Sequence, residues 1–154
     1  MVINKNVEND KEWKRIISAG LVVYRMTSEG PKFLLLYRGR GAWDMPRGRM
    51  ETRERSLETA FREVEEETGL RRSDLDVKRN FKMHEKFPYS RTGAGKIFKI
   101  VIFYLAETKK KQIELSREHE GYGWFSLYEA NKYLGRYRVR KSILRKAWEH
   151  IRRF

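Results

Sequence analysis

The segment Gly48–Leu70 has the sequence GRMETRERSLETAFREVEEETGL, which combines a helical apolar pattern with a group of acidic residues. Its apolar residues recur at helical spacing and predict a helix from about Arg53 to Thr68. The apolar stripe consists of Leu57, Ala60, Phe61 and Val64. Gly69 is expected to end the helix in a left-handed conformation, with Leu70 as the apolar residue that follows this cap.

Three carboxylates fall on one side of this predicted helix. At about 100° per residue, Glu63, Glu66 and Glu67 lie within an arc of roughly 100°, offset from the apolar stripe. At separations of about 6–8 Å and an effective dielectric constant near 20, each pair repels by about 2–3 kcal/mol. A positive charge should compensate them, and oxygen donors favour Mg²⁺, with Mn²⁺ as a possible substitute. Zinc is disfavoured because His84, His119 and His150 show no ligand spacing.

Strand and helix patterns alternate along the rest of the chain and predict an α/β layered domain that spans residues 1–154. Ser18–Met26 and Lys32–Tyr37 should form a strand pair around the turn-forming residues 27–31. The further predicted strands are Asp76–Glu85, Lys96–Glu107 and Glu120–Ser126. The further predicted helices are Leu127–Leu134 and a basic C-terminal helix over about Val139–Arg153.

Composition excludes several classes of protein. The 154 residues carry a net charge of +14, and 40% of them are hydrophobic, enough to bury a core. The absence of cysteine excludes disulfide scaffolds, cysteine-bound zinc and thiol catalysis. No apolar stretch is long enough to span a bilayer, and Met1–Asp10 lacks an apolar signal core, so we expect a cytoplasmic protein without membrane association. Abundant Glu, Lys and Arg beside a single Gln indicate a heat-adapted source.

Positive charge is concentrated near the C-terminus. Nine basic residues lie between Lys132 and Phe154, against the single acid Glu149. The apolar stripe expected on the last helix consists of Val139, Ile143, Leu144, Ala147, Trp148 and Ile151. The basic residues form either a solvated helix face or a surface for weak RNA or DNA binding. Charge alone leaves both readings open, and the sequence does not predict an oligomeric state.

Taken alone, a Glu-rich helix would be an ordinary exposed face, but the spacing of the whole segment is more specific. Gly48, five residues, Glu54, seven residues, then REVEEETGL (62–70) resembles the Nudix box of the Nudix hydrolases. This resemblance implies an α/β/α sandwich with a mixed sheet and hydrolysis of a nucleoside diphosphate linked to another moiety. It also implies a divalent metal held by Glu63, Glu66, Glu67 and the Gly48 carbonyl.

The resemblance assigns further roles within the box. Arg62 would pair with Glu54 and orient the carboxylates, and Glu63 is a candidate general base, although members of the family differ in which carboxylate serves. Metal bound to the phosphate oxygens would neutralise charge while an activated water attacks phosphorus.

Three other segments resemble one group within the family, the asymmetrical diadenosine tetraphosphate hydrolases. WDMPRG (43–48) is similar to their W-x-x-P-K-G motif, and LSREHEGYGWFSLYEA (115–130) is similar to their L-S-x-E-H-x-x-Y-x-W-x-x-x-x-E-A segment. KIVIFYLAE (99–107) resembles their strand that begins with a phosphate-contacting lysine. Together the resemblance covers roughly residues 19–130.

This narrower resemblance implies roles for residues outside the box. Glu118 would be a catalytic carboxylate at or near the metal, Lys99 a phosphate ligand and Tyr122 a ring that stacks on a purine. Tyr89 is a candidate for a second stacking ring. His119 is interpreted as a structural histidine.

The two arginines beside Gly48 depart from the family pattern, which has Lys and His there. Arg47 and Arg49 still suit a phosphate-rich substrate, because a guanidinium binds phosphate through two donors. The leading prediction is hydrolysis of diadenosine tetraphosphate to ATP and AMP. The alternatives are an RNA 5′-pyrophosphohydrolase, a hydrolase of inositol pyrophosphates, and a non-catalytic nucleotide- or nucleic-acid-binding regulator on the same scaffold.

Overall fold

Eight strands and three helices follow one another in a computed structural model that describes residues 14–90 and 96–153, with residues 14, 87–90 and 96 described by their backbone alone. The strands are β1 (Lys14–Thr27), β2 (Gly30–Tyr37), β3 (Trp43–Asp44), β4 (Arg47–Arg49), β5 (Asp76–Val77), β6 (Met83–Ser90), β7 (Lys96–Glu107) and β8 (Gly121–Phe125). The helices are α1 (Ser56–Thr68), α2 (Leu127–Leu134) and α3 (Arg138–Arg153), with one 3₁₀ turn at Arg72–Asp74.

The sheet is mixed, as predicted. β1 and β7 run parallel from the pair Lys14 and Ile97 to the pair Tyr24 and Glu107. All other pairings are antiparallel: β1 with β2 and β4, β2 with β3 and β8, and β7 with β5 and β6. Because β1 pairs with three strands, it lies in the centre of the sheet.

Helices cover both faces of the sheet, which confirms the α/β/α sandwich. Alternate residues of a strand point to opposite faces. Leu21 and Val23 of β1 pack in the cluster that contains Ala60 and Val64 of the predicted stripe, with Phe61 partly buried against it, whereas Val22 and Tyr24 pack with α2 and α3. The fourth residue of the stripe, Leu57, is only half-buried. Burial of each large apolar side chain contributes about 1.5–3 kcal/mol. This burial fixes one side of α1 on the sheet, so the side that bears Glu63, Glu66 and Glu67 is not the side that anchors the helix.

Besides β1, which begins at Lys14 and not at Ser18, and the short strands β3 and β4, which are not among the predicted strands, the structure differs from the predicted elements at three places. Helix α1 begins at Ser56, not near Arg53, because Arg53 has a φ of 70°, which a right-handed helix does not allow. The strand predicted over 76–85 is two strands, β5 and β6, and Asn80 has a φ of 63° in the interruption.

The third difference lies in α3. Val139, predicted in the apolar stripe, is 43% exposed, and Arg140 occupies a buried position at 3% exposure. Two acidic side chains beside Arg140 account for this exchange. Within the described residues, no helix is both long enough and apolar enough to cross a membrane.

Candidate active site

A cavity of about 550 Å³ lies beside the acidic side of α1. Seven residues predicted to act in catalysis, metal binding or substrate binding line it: Arg47, Gly48, Arg49, Glu63, Glu66, Glu67 and Glu118. Arg62 and Glu54 do not line the cavity, but Arg62 binds both Glu54 and the cavity carboxylate Glu63. The structure therefore brings the predicted box residues and Glu118 of the second motif to one place.

The end of α1 explains how Glu118 reaches this cavity. Gly69 has a φ of 75°, and its N–H donates to the Glu65 carbonyl at 2.9 Å, which is the predicted left-handed cap. The last carbonyls of a helix have no partner within the helix. Here the backbone N–H groups of Glu114 and Ser116 donate to the carbonyls of Thr68 and Glu67 at 2.9 and 3.2 Å. The segment that leads to Glu118 is thereby held against the end of α1.

Gly48 is required by the position of Glu63. The strand β4 pairs with β1 at this point, with Gly48 opposite Ala19. A Cβ atom added at Gly48 would overlap the carboxyl group of Glu63. Only a residue without a side chain allows this carboxyl group to lie against the backbone of the strand.

Arg62 holds three of the acidic residues. Its Nε and Nη2 donate to the two carboxylate oxygens of Glu54 at 2.7 and 3.0 Å. Its Nη1 donates to Glu63 at 2.9 Å and to Glu66 at 3.3 Å. The guanidinium lowers the pKa of the Glu54 carboxyl to about 2. This is the predicted pairing with Glu54, and Arg62 links it to two carboxylates of the cavity.

Glu67 is the most buried carboxylate of the group, at 5% exposure. One of its oxygens accepts a hydrogen bond from the Arg47 backbone N–H at 3.3 Å. Burial first, and then the nearby charge of Glu63, raise the pKa of Glu67 to about 8. Burial also raises the pKa of Glu63, opposed by Arg62. These two carboxyl groups therefore have less positive charge nearby than their ionised forms require.

The donor chemistry of the cavity fits a hard divalent cation. Its candidate ligands, the carboxylates of Glu63, Glu66 and Glu67 and the Gly48 carbonyl, are all oxygen atoms. Across residues 14–90 and 96–153, no three acidic or histidine side chains lie close enough around one point to hold a metal ion as placed. In this arrangement Arg62 supplies the counter-charge to Glu63 and Glu66. Because Glu67 is buried beside Glu63, its ionised carboxylate would be stabilised by a cation bound next to it.

The predicted substrate contacts of Lys99, Tyr122 and Tyr89 stay predictions. Tyr122 is 37% exposed and lies opposite Leu36, on the sheet face covered by α1. Lys99 is half-buried and pairs with Ile16 in β1. Neither is among the residues that line the cavity. The Tyr89 side chain lies outside the described residues.

Sequence reasoning missed several residues of the site. Ser18, Arg38, Ser116 and Arg117 also line the cavity. The charge of Arg38 lowers the pKa of Glu67, which partly offsets the effect of burial. The neighbouring His119 is 8% exposed, and burial lowers its pKa, as expected of a structural histidine. Arg38 follows β2 without a recognisable motif, so only the folded chain shows that it reaches the carboxylates.

The comparison with known families agrees with the fold and the box. A family model described as the NUDIX domain matches residues 14–146, and the chain belongs to this family. It is accordingly a Nudix pyrophosphohydrolase, which confirms the class predicted from the box.

Similar proteins and a similar solved structure carry names of one type of enzyme. The asymmetrical bis(5′-nucleosyl)-tetraphosphatase of Mus musculus is 33% identical over 87% of this chain and 94% of its own length. The enzyme of the same name from Rattus norvegicus is 37% identical over 73% of this chain and 80% of its own length. The crystal structure of a C. elegans Ap4A hydrolase binary complex matches with a TM-score of 0.77 and 29% identity, over 90% of this chain and 99% of that one.

Proposed function

We propose that this enzyme hydrolyses diadenosine tetraphosphate asymmetrically to ATP and AMP in a reaction that depends on Mg²⁺, for which Mn²⁺ can substitute. The observation that carries the proposal is the meeting of two motifs in one cavity. Glu63, Glu66 and Glu67 from the box lie there with Glu118 from the segment 115–130. The similar proteins that are named asymmetrical tetraphosphatases support the choice of substrate.

The carboxylates of Glu63, Glu66 and Glu67 and the Gly48 carbonyl would hold the metal. When bound, the metal supplies positive charge that neutralises the phosphate oxygens and polarises phosphorus. Arg62, anchored at 2.7 Å on Glu54, keeps two of these carboxylates in place.

Proton transfer falls to a carboxylate of the cavity. Glu63 faces the cavity and is held by Arg62 at 2.9 Å, so it is the first candidate to take the proton of the attacking water. Glu118, from the segment 115–130, lines the same cavity and is the second candidate.

A tetraphosphate substrate requires cations as well as the metal. Arg47 and Arg49 line the cavity beside the carboxylates and would contact phosphate oxygens. Lys99 would bind a further phosphate, and Tyr122 and Tyr89 would stack on adenine rings.

The second candidate function is RNA 5′-pyrophosphate hydrolysis. The net charge of +14 and the basic residues on the exposed side of α3 favour it, because both attract a polyanion. In this case the same cavity would process the 5′ end, and weak RNA binding by the C-terminal region would contribute to affinity.

A substrate panel with Mg²⁺ tests the proposal. Diadenosine tetraphosphate, nucleoside triphosphates, ADP-ribose, an inositol pyrophosphate and 5′-triphosphorylated RNA are compared, and anion-exchange chromatography identifies the products. We expect ATP and AMP from diadenosine tetraphosphate, and a reaction in H₂¹⁸O to label one product and so locate the attacked phosphorus. Two ADP molecules would exclude asymmetrical cleavage. Pyrophosphate release from RNA without turnover of the dinucleotide would favour the second candidate.

A further inference from the structure

A buried aspartate lies between two arginines next to the active-site cavity. Asp44 on β3 is 7% exposed. Its Oδ2 accepts hydrogen bonds from Arg47 Nε at 2.9 Å and from Arg140 Nη1 at 2.5 Å. Its Oδ1 accepts from the backbone N–H of Met45 at 2.8 Å. Both carboxylate oxygens are therefore held, and the direction in which Asp44 presents its charge is fixed.

Arg140 belongs to the opposite layer of the fold, on α3. It is 3% exposed, and its Nε lies 3.2 Å from the carboxylate of Glu85 on β6, an ion pair without hydrogen-bond geometry. Its Cζ atom lies 5.9 Å from the centre of the Phe103 ring and 5.1 Å from the centre of the Tyr137 ring. With Arg47 and Asp44, this makes two cations and two anions. Buried ions require such compensation, because removal of one partner leaves an uncompensated charge.

Arg47 connects this cluster with the catalytic carboxylates. Its backbone N–H donates to Glu67 at 3.3 Å, and its side chain lines the cavity. Asp44 binds its Nε, which is the inner donor of the guanidinium. Among the described residues, no acceptor takes up its terminal nitrogens, so these donors stay free for a ligand in the cavity.

We infer that Asp44 is a positioning residue that presents the terminal nitrogens of Arg47 to the phosphates of the substrate, and that Arg140 fixes Asp44 from α3. The inference rests on the proposed function, in which Arg47 binds phosphate. A guanidinium is planar, so a bond at Nε sets the plane of all its donors. A donor group fixed before binding loses less conformational entropy when the substrate arrives. The buried arginine within the apolar side of α3 thereby has a function.

The first test is the nearly isosteric variant Asp44→Asn in a double-mutant cycle with Arg47→Gln. An asparagine has one acceptor oxygen and no charge, whereas Arg47, Arg140 and the Met45 N–H are three donors, so the hydrogen bond that orients Arg47 is weakened or lost. We expect KM for diadenosine tetraphosphate to rise about tenfold, the loss of one charge-assisted hydrogen bond, with kcat within about threefold. In the Arg47→Gln background, Asp44→Asn should have no further effect on KM. Glu107→Gln is the matched control, because Glu107 is also paired, with Lys78 at 3.5 Å, but outside the cavity.

A second variant keeps the test independent of a folding defect. The double substitution Arg140→Met with Glu85→Gln removes one cation and one anion together, so the cluster stays neutral. This double variant should raise KM by a similar factor. Arg140→Lys, which keeps the positive charge, should raise KM less than the double variant does. Melting curves and circular dichroism confirm that each variant is folded before KM is compared.

Binding of inorganic tripolyphosphate, measured by calorimetry in Mg²⁺ buffer, separates the inference from the proposed substrate. If wild type does not hydrolyse the dinucleotide but tripolyphosphate binding shows the same tenfold, non-additive loss, the proposed function fails and the positioning role stands. Additive effects of Asp44→Asn and Arg47→Gln would overturn the inference. An unchanged affinity in the folded variants, or no tripolyphosphate binding by wild type, would overturn it as well.

Discussion

The carboxyl group of Glu63 lies against the backbone of Gly48, in the space that a side chain at position 48 would occupy. Gly48 is held in β4 by its pairing with Ala19 of β1, and Glu63 belongs to a helix whose residues Ala60 and Val64 are buried against the sheet. The geometry of the site thus depends on the absence of one side chain.

The substitution Gly48→Ala tests this dependence. The added methyl group should displace the Glu63 carboxyl group and lower kcat about 100-fold, since a shift of about 1 Å at a reacting group has this effect. Steady-state kinetics with a Mg²⁺ titration measures it. Gly121→Ala is the matched control, because a Cβ there meets only Tyr37 Cβ at 3.8 Å, an ordinary contact. Equal kinetics for wild type and Gly48→Ala would contradict the assigned site.

Glu67 offers a direct test of metal binding. Glu67→Gln should keep the fold, because the amide has nearly the same shape, and should lower turnover by two or more orders of magnitude through the lost ligand charge. Glu65→Gln, at an exposed position of the same helix, is the control. Wild-type turnover by Glu67→Gln at limiting Mg²⁺ would show that the metal site lies elsewhere.

The raised pKa of Glu67 predicts how the free energy of unfolding changes with pH when a chelator has removed the metal. Burial and the charge of Glu63 raise the pKa of Glu67 to about 8, from 4.5 when unperturbed. Between these values the folded protein holds a proton that the unfolded chain has released. Stability therefore falls as pH rises through this window, and the penalty is fully present above pH 8.

Because glutamine does not titrate, Glu67→Gln should melt higher than wild type at pH 8.5 in EDTA, with a smaller difference at pH 5. Added Mg²⁺ at pH 8.5 should raise the melting temperature of wild type more than that of the variant, because a ligand stabilises the state that binds it. Differential scanning fluorimetry at both pH values measures these shifts. A melting difference that does not grow with pH would contradict the assigned burial.

Local spacing was sufficient to predict α1, its cap at Gly69 and the carboxylate group, because each depends on neighbours a few residues away. The mixed sheet followed from the resemblance. The left-handed conformations of Arg53 and Asn80 shortened one helix and divided one strand. Asn adopts this conformation more readily than most residues, so Asn80 carries a weak signal, whereas Arg53 has none.

Buried ion pairs between distant segments could not be predicted in the same way. Arg140 and Asp44 are 96 residues apart, so only the folded chain shows why an arginine replaces an apolar residue on α3. The same reason applies to Arg38, which directly follows β2 and lines the cavity. Sequence patterns give the type of charge at each position but not the partner that compensates it.

The exposed side of α3 bears the charge predicted to contact nucleic acid. Arg138, Arg145, Arg152 and Arg153 are exposed and Lys141 is half-buried. Arg145 pairs with Glu149 at 3.5 Å, but its side chain is 75% exposed. Arg152 lies over the Trp148 ring at 4.5 Å. These four arginines stand in solvent, whereas the buried Arg140 is used within the fold.

We therefore predict weak binding of single-stranded RNA that is lost as salt rises. Each neutralised phosphate releases counterions, so several contacts should cost on the order of 10³-fold in affinity between roughly 50 and 200 mM salt. Fluorescence anisotropy at both salt concentrations compares wild type with a variant in which Arg138, Lys141, Arg145, Arg152 and Arg153 are changed to Gln. A variant with Lys109, Lys110 and Lys111 changed to Gln removes three positive charges away from α3, and so controls for the part of the effect that net charge alone produces. Equal binding by the α3 variant and wild type would show that this side of α3 is only a solvated face, and the RNA-directed alternative would lose its main support.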